Sequence, residues 1–202
     1  MVDAALIQQC ADPDLKPAIV EQFIAAAGAP DPRAVTVRAR NRVILTQPPK
    51  TAEEAMDLVR RYVGQTVVRV GITQYPAGVG ISDPAELSAD LVDACTNIRM
   101  GTALFAKVYR IVTKWYGAPA QEAFDDAILA WQTGWFEGQA VFSAEDPGPT
   151  PVAVPAEPAD LASAVEEAAE TGAVADVAAT TEDPNHAGIR IDLSGIGGAG
   201  LK

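Results

Sequence analysis

The chain holds one histidine, His186, and two cysteines, Cys10 and Cys95, among its 202 residues. Those counts narrow the available chemistry sharply. Ser-His and Cys-His nucleophilic catalysis need an imidazole beside the nucleophile, and His186 lies far down an acidic, Pro-rich stretch with the character of a solvated tail. A zinc cluster wants four ligands in close pairs, which two widely separated cysteines cannot supply, so no metal and no cofactor is expected. What remains is chemistry carried by carboxylates and amides. The stretch that draws notice is "GITQYPAGVGI", Gly71 to Ile81, followed by "DACTNIRMGTALFAKVYRIV", Asp93 to Val112. A Gly-rich loop here feeds the longest amphipathic run of the chain.

The elements that must position these residues follow from periodicity. Asp12-Pro13 can cap a helix with Leu15, Ile19, Phe23 and Ile24 on one face, closed by Gly28 and Pro30. "AVTVRARNRVILT" alternates and is rich in β-branched residues, which predicts a hairpin over Ala34 to Thr46 turning near Arg40-Asn41. Thr51-x-x-Glu54 is a capping box for a short helix ending at Gly64, with Ala55, Leu58, Val59 and Tyr62 inward. "TVVRV" is a brief strand, and Asp83-Pro84-x-Glu86 is a further helix start. From Thr96 to Tyr116 one wide apolar stripe runs through Met100, Leu104, Phe105, Val108, Ile111, Val112 and Trp115 and predicts the central helix. Pro119 to Gln132 is the last helix, stopped by Gly134. The expected fold is mainly α with a small β-hairpin, an α+β arrangement.

Charge divides the chain in two. Met1 to Ser143 carries 16 acidic and 13 basic residues, whereas Ala144 onward carries 11 acidic and 2 basic. The expected organisation is a folded domain over 1–143 and a disordered acidic tail over 144–202, since the tail is too poor in large apolar groups to offset the entropy of ordering. At its end "AGIRIDLSGIGGAGLK" alternates Ile189, Ile191 and Leu193 with charged residues, a pattern suited to strand addition on a partner. A chain with pI near 4.4 has little attraction for phosphate polymers or anionic lipid, so direct nucleic-acid binding is not expected. No apolar run approaches the ~20 residues that span a bilayer, and membrane insertion is not expected. The start "MVDAALIQQCADPDLKP" shows no basic region followed by an apolar core. Cytoplasmic localisation is the expectation from this, with the periplasm as the alternative.

Three segments in order then carry a family resemblance. "QQCADPDLKPAIVEQF" is similar to the first long helix, preceded by a cysteine, of the lytic transglycosylases that accompany type IV secretion machines, a lysozyme-like branch. "PDPRAVTV" resembles the stretch just after their catalytic helix, and "VGITQYP" stands in the place of their Gly-Leu-x-Gln loop. "DACTNIRMGTALFAKVY" resembles their Asp-Pro-Cys-x-Asn-Ile-x-x-Gly motif, with Ala94 in place of proline. Through "TKWYG" and "RIDLS" the chain more closely resembles the conjugal-transfer TraH proteins of agrobacterial and rhizobial plasmids.

The resemblance implies a lysozyme-like domain that binds glycan and a single carboxylic acid that protonates the leaving sugar oxygen and then takes a proton from the 6-hydroxyl. Gln74 falls where the family's loop glutamine binds sugar, and Asn97 where its asparagine buttresses the loop. The acid's position, counted back from Pro32-x-Ala34, falls on Ala27, with Gly28 in place of the following serine. Asp31 and Glu21 are the nearby substitutes: Glu21 lies about 9 Å back along the helix and out of phase, while Asp31 is closer but, as a loop aspartate ionised at neutral pH, a poor acid. Tyr75, Trp115, Tyr116, Trp131 and Trp135 are candidates to line the groove, with Tyr75 and Trp135 favoured because they sit in loops or at helix ends. In the resembling secreted enzymes Cys10 and Cys95 would form a disulfide; without an export signal the expectation is two reduced, buried thiols facing each other.

The function expected from this is a pseudoenzyme: a non-catalytic transglycosylase-like module of a conjugation system that binds another transfer-apparatus protein or peptidoglycan. An active transglycosylase using Asp31 or Glu21 is the first alternative. The second is a scaffold presenting its acidic tail to a basic partner such as a relaxase or coupling protein.

Overall fold

In the computed structural model, residues 2–40 and 42–148 are described. The tail beyond, with His186 and the terminal Ile/Leu motif, lies outside the described residues. Among the described residues five helices and a small antiparallel sheet follow in the order α1 (Ala4–Cys10), α2 (Pro17–Ala27), β1 (Val35–Ala39), β2 (Arg42–Ile44), α3 (Ala52–Tyr62), β3 (Val67–Val70), β4 (Tyr75–Pro76), α4 (Ala94–Tyr116), α5 (Gln121–Thr133), β5 (Trp135–Phe136) and β6 (Gln139–Ala140). The fold is mainly helical, α+β, as the periodicity predicts. The four-stranded sheet runs β2-β1-β3-β4, and β5-β6 form a separate hairpin.

The central helix α4 organises the rest. Asp93 caps it, accepting from the Thr96 N–H at 2.8 Å, and Gly117 ends it in the left-handed conformation at φ 77°. Its buried residues reach round more than one face: Ile98, Phe105, Val108, Tyr109 and Val112 are joined by Asn97, Gly101 and Thr102. Phe105 stacks on Phe23 of α2 at 4.0 Å between centroids and meets Phe124 and Trp131 of α5 edge-on. That aromatic cluster is the main core. A second core lies between α3 and the sheet, built from Ala55, Met56, Val59, Val68 and Val70.

Register gives the sheet two unlike faces. Val35 pairs with Val70 and Val37 with Val68, while Thr36 pairs with Arg69 and Arg38 with Val67. Side chains alternate across a strand, so Val35, Val68 and Val70 face α3 while Thr36, Arg38, Val67 and Arg69 share the opposite face. This second face forms the floor of the site described below.

Several expectations need correction. The first long helix begins at Pro17 rather than at Asp12-Pro13, and a separate helix, α1, precedes it. Pro17 takes the first helical position, where its missing N–H costs nothing. Asp83 caps only a single 3-10 turn, Pro84–Glu86. Trp115, expected in the apolar stripe, is 60% exposed; it stands in the last turn of α4, edge-on to the rings of Tyr116 and Phe136.

Cys10 and Cys95 are not free thiols: they form a disulfide across 85 residues, joining the end of α1 to the first turn of α4. Beside it the Thr102 hydroxyl accepts the Asp12 N–H at 2.8 Å and donates to the Ile98 carbonyl at 2.7 Å. The N-terminal segment is thus tied to α4 twice. A cross-link closing a loop of this length restricts the unfolded chain by about 4–5 kcal/mol in the chain-entropy account. Replacing both cysteines by serine is expected to cost roughly 2–5 kcal/mol in denaturant unfolding, and dithiothreitol should lower the wild-type midpoint while leaving the double variant unmoved.

Candidate binding cleft

The loop from Gly71 to Pro76 is where most of the fold's unusual contacts meet. Gly71 takes φ 75° and Gln74 φ 51°, both left-handed, so the chain turns tightly between β3 and β4. The Gln74 N–H donates to the Gly71 carbonyl at 3.1 Å. Only glycine adopts such angles freely, and a Cβ on Gly71 would also stand 2.3 Å from the Asn97 amide nitrogen.

Asn97, fully buried on α4, holds this loop with all of its hydrogen-bonding groups. Its Oδ1 accepts from the Thr73 N–H at 2.9 Å and the Thr73 hydroxyl at 3.0 Å. Its Nδ2 donates to the Val70 carbonyl at 3.1 Å and the Leu91 carbonyl at 2.8 Å. Trp131, at 1% exposure, adds its indole N–H to the Thr73 carbonyl at 3.1 Å. Gly101, one helical turn beyond Asn97, leaves room for Thr73: a Cβ there would lie 2.1 Å from its Oγ1.

The same loop sets the end of α2. The Ala29 N–H donates to the Ile72 carbonyl at 2.8 Å, and a Cβ on Gly28 would meet that carbonyl at 2.5 Å. Ala27, the last residue of α2, therefore comes to the mouth of a cleft of about 170 Å³ together with Thr36, Arg38, Arg69, Gln74 and Gln132. Ala27 and Gln74, matched to different motifs of the sequence, meet here. Gln74 turns its side-chain amide back onto the Gly71 carbonyl at 3.0 Å.

Arg69 dominates the electrostatics. It is 6% exposed, and its guanidinium donates to the carbonyls of Trp131 and Gln132 at the end of α5 and, at 3.4 Å, to that of Gln74. It also lies over the rings of Trp131 at 5.6 Å and Phe142 at 5.2 Å. Among the described residues no carboxylate pairs with it. Burial lowers its pKa to about 10, with the positive charge of Arg38 adding to the effect; it stays protonated at neutral pH. A second, larger cleft of about 750 Å³ is also lined by Arg38 and Arg69 and extends past Arg40 to Trp135.

The remaining site candidates separate. Glu21 lines a different cavity, an apolar one of about 590 Å³ against Ile7 and Ile24. Asp31 pairs with Arg33 at 3.1 Å, and hydrogen bonds from the Arg33 side chain and backbone N–H hold its carboxyl below the usual range. Tyr75 is half-buried between the two cores and lines neither Arg69 cleft. Trp131 is core. Trp115 and Tyr116 are exposed at the end of α4, where Tyr116 donates to Asp126 at 2.7 Å. Trp135, 59% exposed, does line the larger cleft. Arg69 and Arg38 were not singled out by sequence. The alternation of "AVTVRAR" and "TVVRV" was the available signal, because it puts both on the face opposite the valines.

This is a small α+β domain with a basic cleft at the junction of a helix end, a sheet face and a left-handed loop. By sequence it belongs to the TraH_2 family, whose profile matches residues 1–198. It is 60% identical over 153 residues to the uncharacterized protein y4dP of Sinorhizobium fredii, covering 73% of this chain and 76% of that protein. No solved structure matches it. Among the described residues no helix is long and apolar enough to cross a membrane.

Removing the Asn97 amide leaves the Thr73 N–H and the Val70 and Leu91 carbonyls unpaired in the interior. Asn97→Ala is expected to destabilise the domain by about 2–4 kcal/mol, and Gly101→Ala by a comparable amount through its clash with Thr73. Denaturant unfolding of the two variants checks this, with Leu129→Ala, an exposed position, expected to change little.

Proposed function

We propose that the protein is a non-catalytic, transglycosylase-like module of a plasmid conjugation system, acting by binding a component of the transfer apparatus. Family membership supports the conjugal setting. The observation that carries the non-catalytic reading is the cleft itself: Ala27 and Gln74 share it, and Arg38 and Arg69 lie beside them, with no carboxylate in its lining. A methyl group cannot deliver a proton. An acid introduced there would be held ionised by two guanidinium groups, contrary to what a general acid needs at neutral pH.

The displaced-carboxylate alternative fares worse. Asp31 is kept ionised by Arg33, and Glu21 faces another cavity. The disulfide between Cys10 and Cys95 favours the oxidising periplasm over the cytoplasm as the place of action, since cytosolic thiols are kept reduced. Peptidoglycan, the other partner a transglycosylase-like cleft suits, is available in that same compartment.

Transfer frequency of a plasmid deleted for this protein tests the reading. The deletion should lower transfer, and complementation with Asp31→Asn or Glu21→Gln should restore it as fully as wild type. Failure of either variant to complement at normal protein levels would favour an acid-dependent enzyme.

A further inference from the structure

The lining of the two Arg69 clefts is unusual for so acidic a chain. It contains Arg38, Arg40 and Arg69 and not one aspartate or glutamate, although the whole chain carries a net charge of −12. Arg69 and Arg38 share one sheet face, Arg69 pairing with Thr36 and Arg38 following Thr36 by two residues, and Arg40, in the turn after β1 at φ 52°, lines the larger cleft beside them. Arg38 and Arg40 are exposed. Arg69 is buried, anchored by backbone carbonyls and aromatic faces rather than by an acid.

Burying a guanidinium without a countercharge is costly. Three carbonyls and two rings leave its charge uncancelled, and an anion entering beside Arg38 would offset it. Electrostatic complementarity of this kind steers partners and selects among them. Next to the arginines, Val67, Val79 and Ile81 give the larger cleft an apolar wall, and Trp135 stands at its rim. Such a surface can take the stems of side chains whose carboxylates meet the guanidinium groups.

We propose that the Arg38–Arg40–Arg69 face is the docking site for an extended acidic peptide segment of a partner protein. This rests on the reading of the domain as a binding module and supplies the chemistry of its partner. A peptide fits better than a neutral glycan. Sugar hydroxyls both donate and accept, and a cleft whose charged groups are all donors has no carboxylate to receive them. Arginine forks match carboxylates in pairs of parallel hydrogen bonds.

The test is fluorescence anisotropy of a short fluorescein-labelled Glu–Ala repeat peptide titrated with the full chain at low ionic strength. Saturable binding that weakens with added salt is expected. A Gln–Ala repeat should not bind, and the double charge reversal Arg38→Glu/Arg40→Glu should weaken the acidic peptide at least about ten-fold. Both positions are exposed, so the variant keeps the Arg69 anchor, and an unchanged thermal melt confirms its fold. Equal binding of the two peptides, or undiminished affinity in the charge-reversed chain, would overturn the proposal. Binding of soluble peptidoglycan fragments, abolished by the same reversal, with no response to the acidic peptide, would overturn it in favour of a glycan. Lost peptide binding in the variant with conjugal transfer at wild-type frequency would uphold the docking site and refute its place in the transfer apparatus.

Discussion

One buried carboxamide holds the architecture of the cleft. Asn97 projects from the first turns of α4, accepts twice from Thr73 in the loop between β3 and β4, and donates to the carbonyls of Val70 at the end of β3 and of Leu91 just before α4. An amide in a dry interior must find such partners or exact a desolvation penalty. The chain supplies them by bringing backbone up to the helix, which two glycines permit: Gly71 where the loop passes Asn97 and Gly101 where Thr73 rests. The end of α2 then follows, because Ala29 bonds to the same loop. Ala27, Gln74 and Arg69 meet because the loop has nowhere else to go.

On that frame the electrostatic character is reversed from what glycosidic chemistry needs. A general acid works from a pocket that raises its pKa by excluding water and cations. This pocket excludes water from a guanidinium instead. Arg69 bridges β3 to the last carbonyls of α5, the negative end of the helix dipole, and so also joins the sheet to the helical core. The cleft is therefore part of the scaffold as well as a surface, and its charge is maintained by contacts that stabilise the fold.

Much of this was legible in the sequence. The β1–β2 hairpin, the Thr51 cap, the long central helix and the Gly134 stop of the last helix all follow from local pattern, and the structure has them. α1 was not legible: seven residues with two buried side chains, Ile7 and Cys10, leave too short a pattern. The burial of Arg69 was hidden as well, since strand alternation assigns it to the face opposite the valines and only the arrival of α5 covers that face. The disulfide depends on how the chain between positions 10 and 95 folds, a separation of 85, whereas the expected compartment alone points to thiols. Gln74 and Ala27 were brought together by a family pattern, not by any periodicity of the chain.

The most direct measurement of the central claim is product analysis. Purified protein, with its disulfide intact, is incubated with peptidoglycan sacculi, and the released material is searched by mass spectrometry for 1,6-anhydro sugar ends. The proposed non-catalytic reading, with Ala27 in the place of the acid, predicts none above a protein-free control. Anhydro ends that accumulate with time and enzyme concentration would contradict the account.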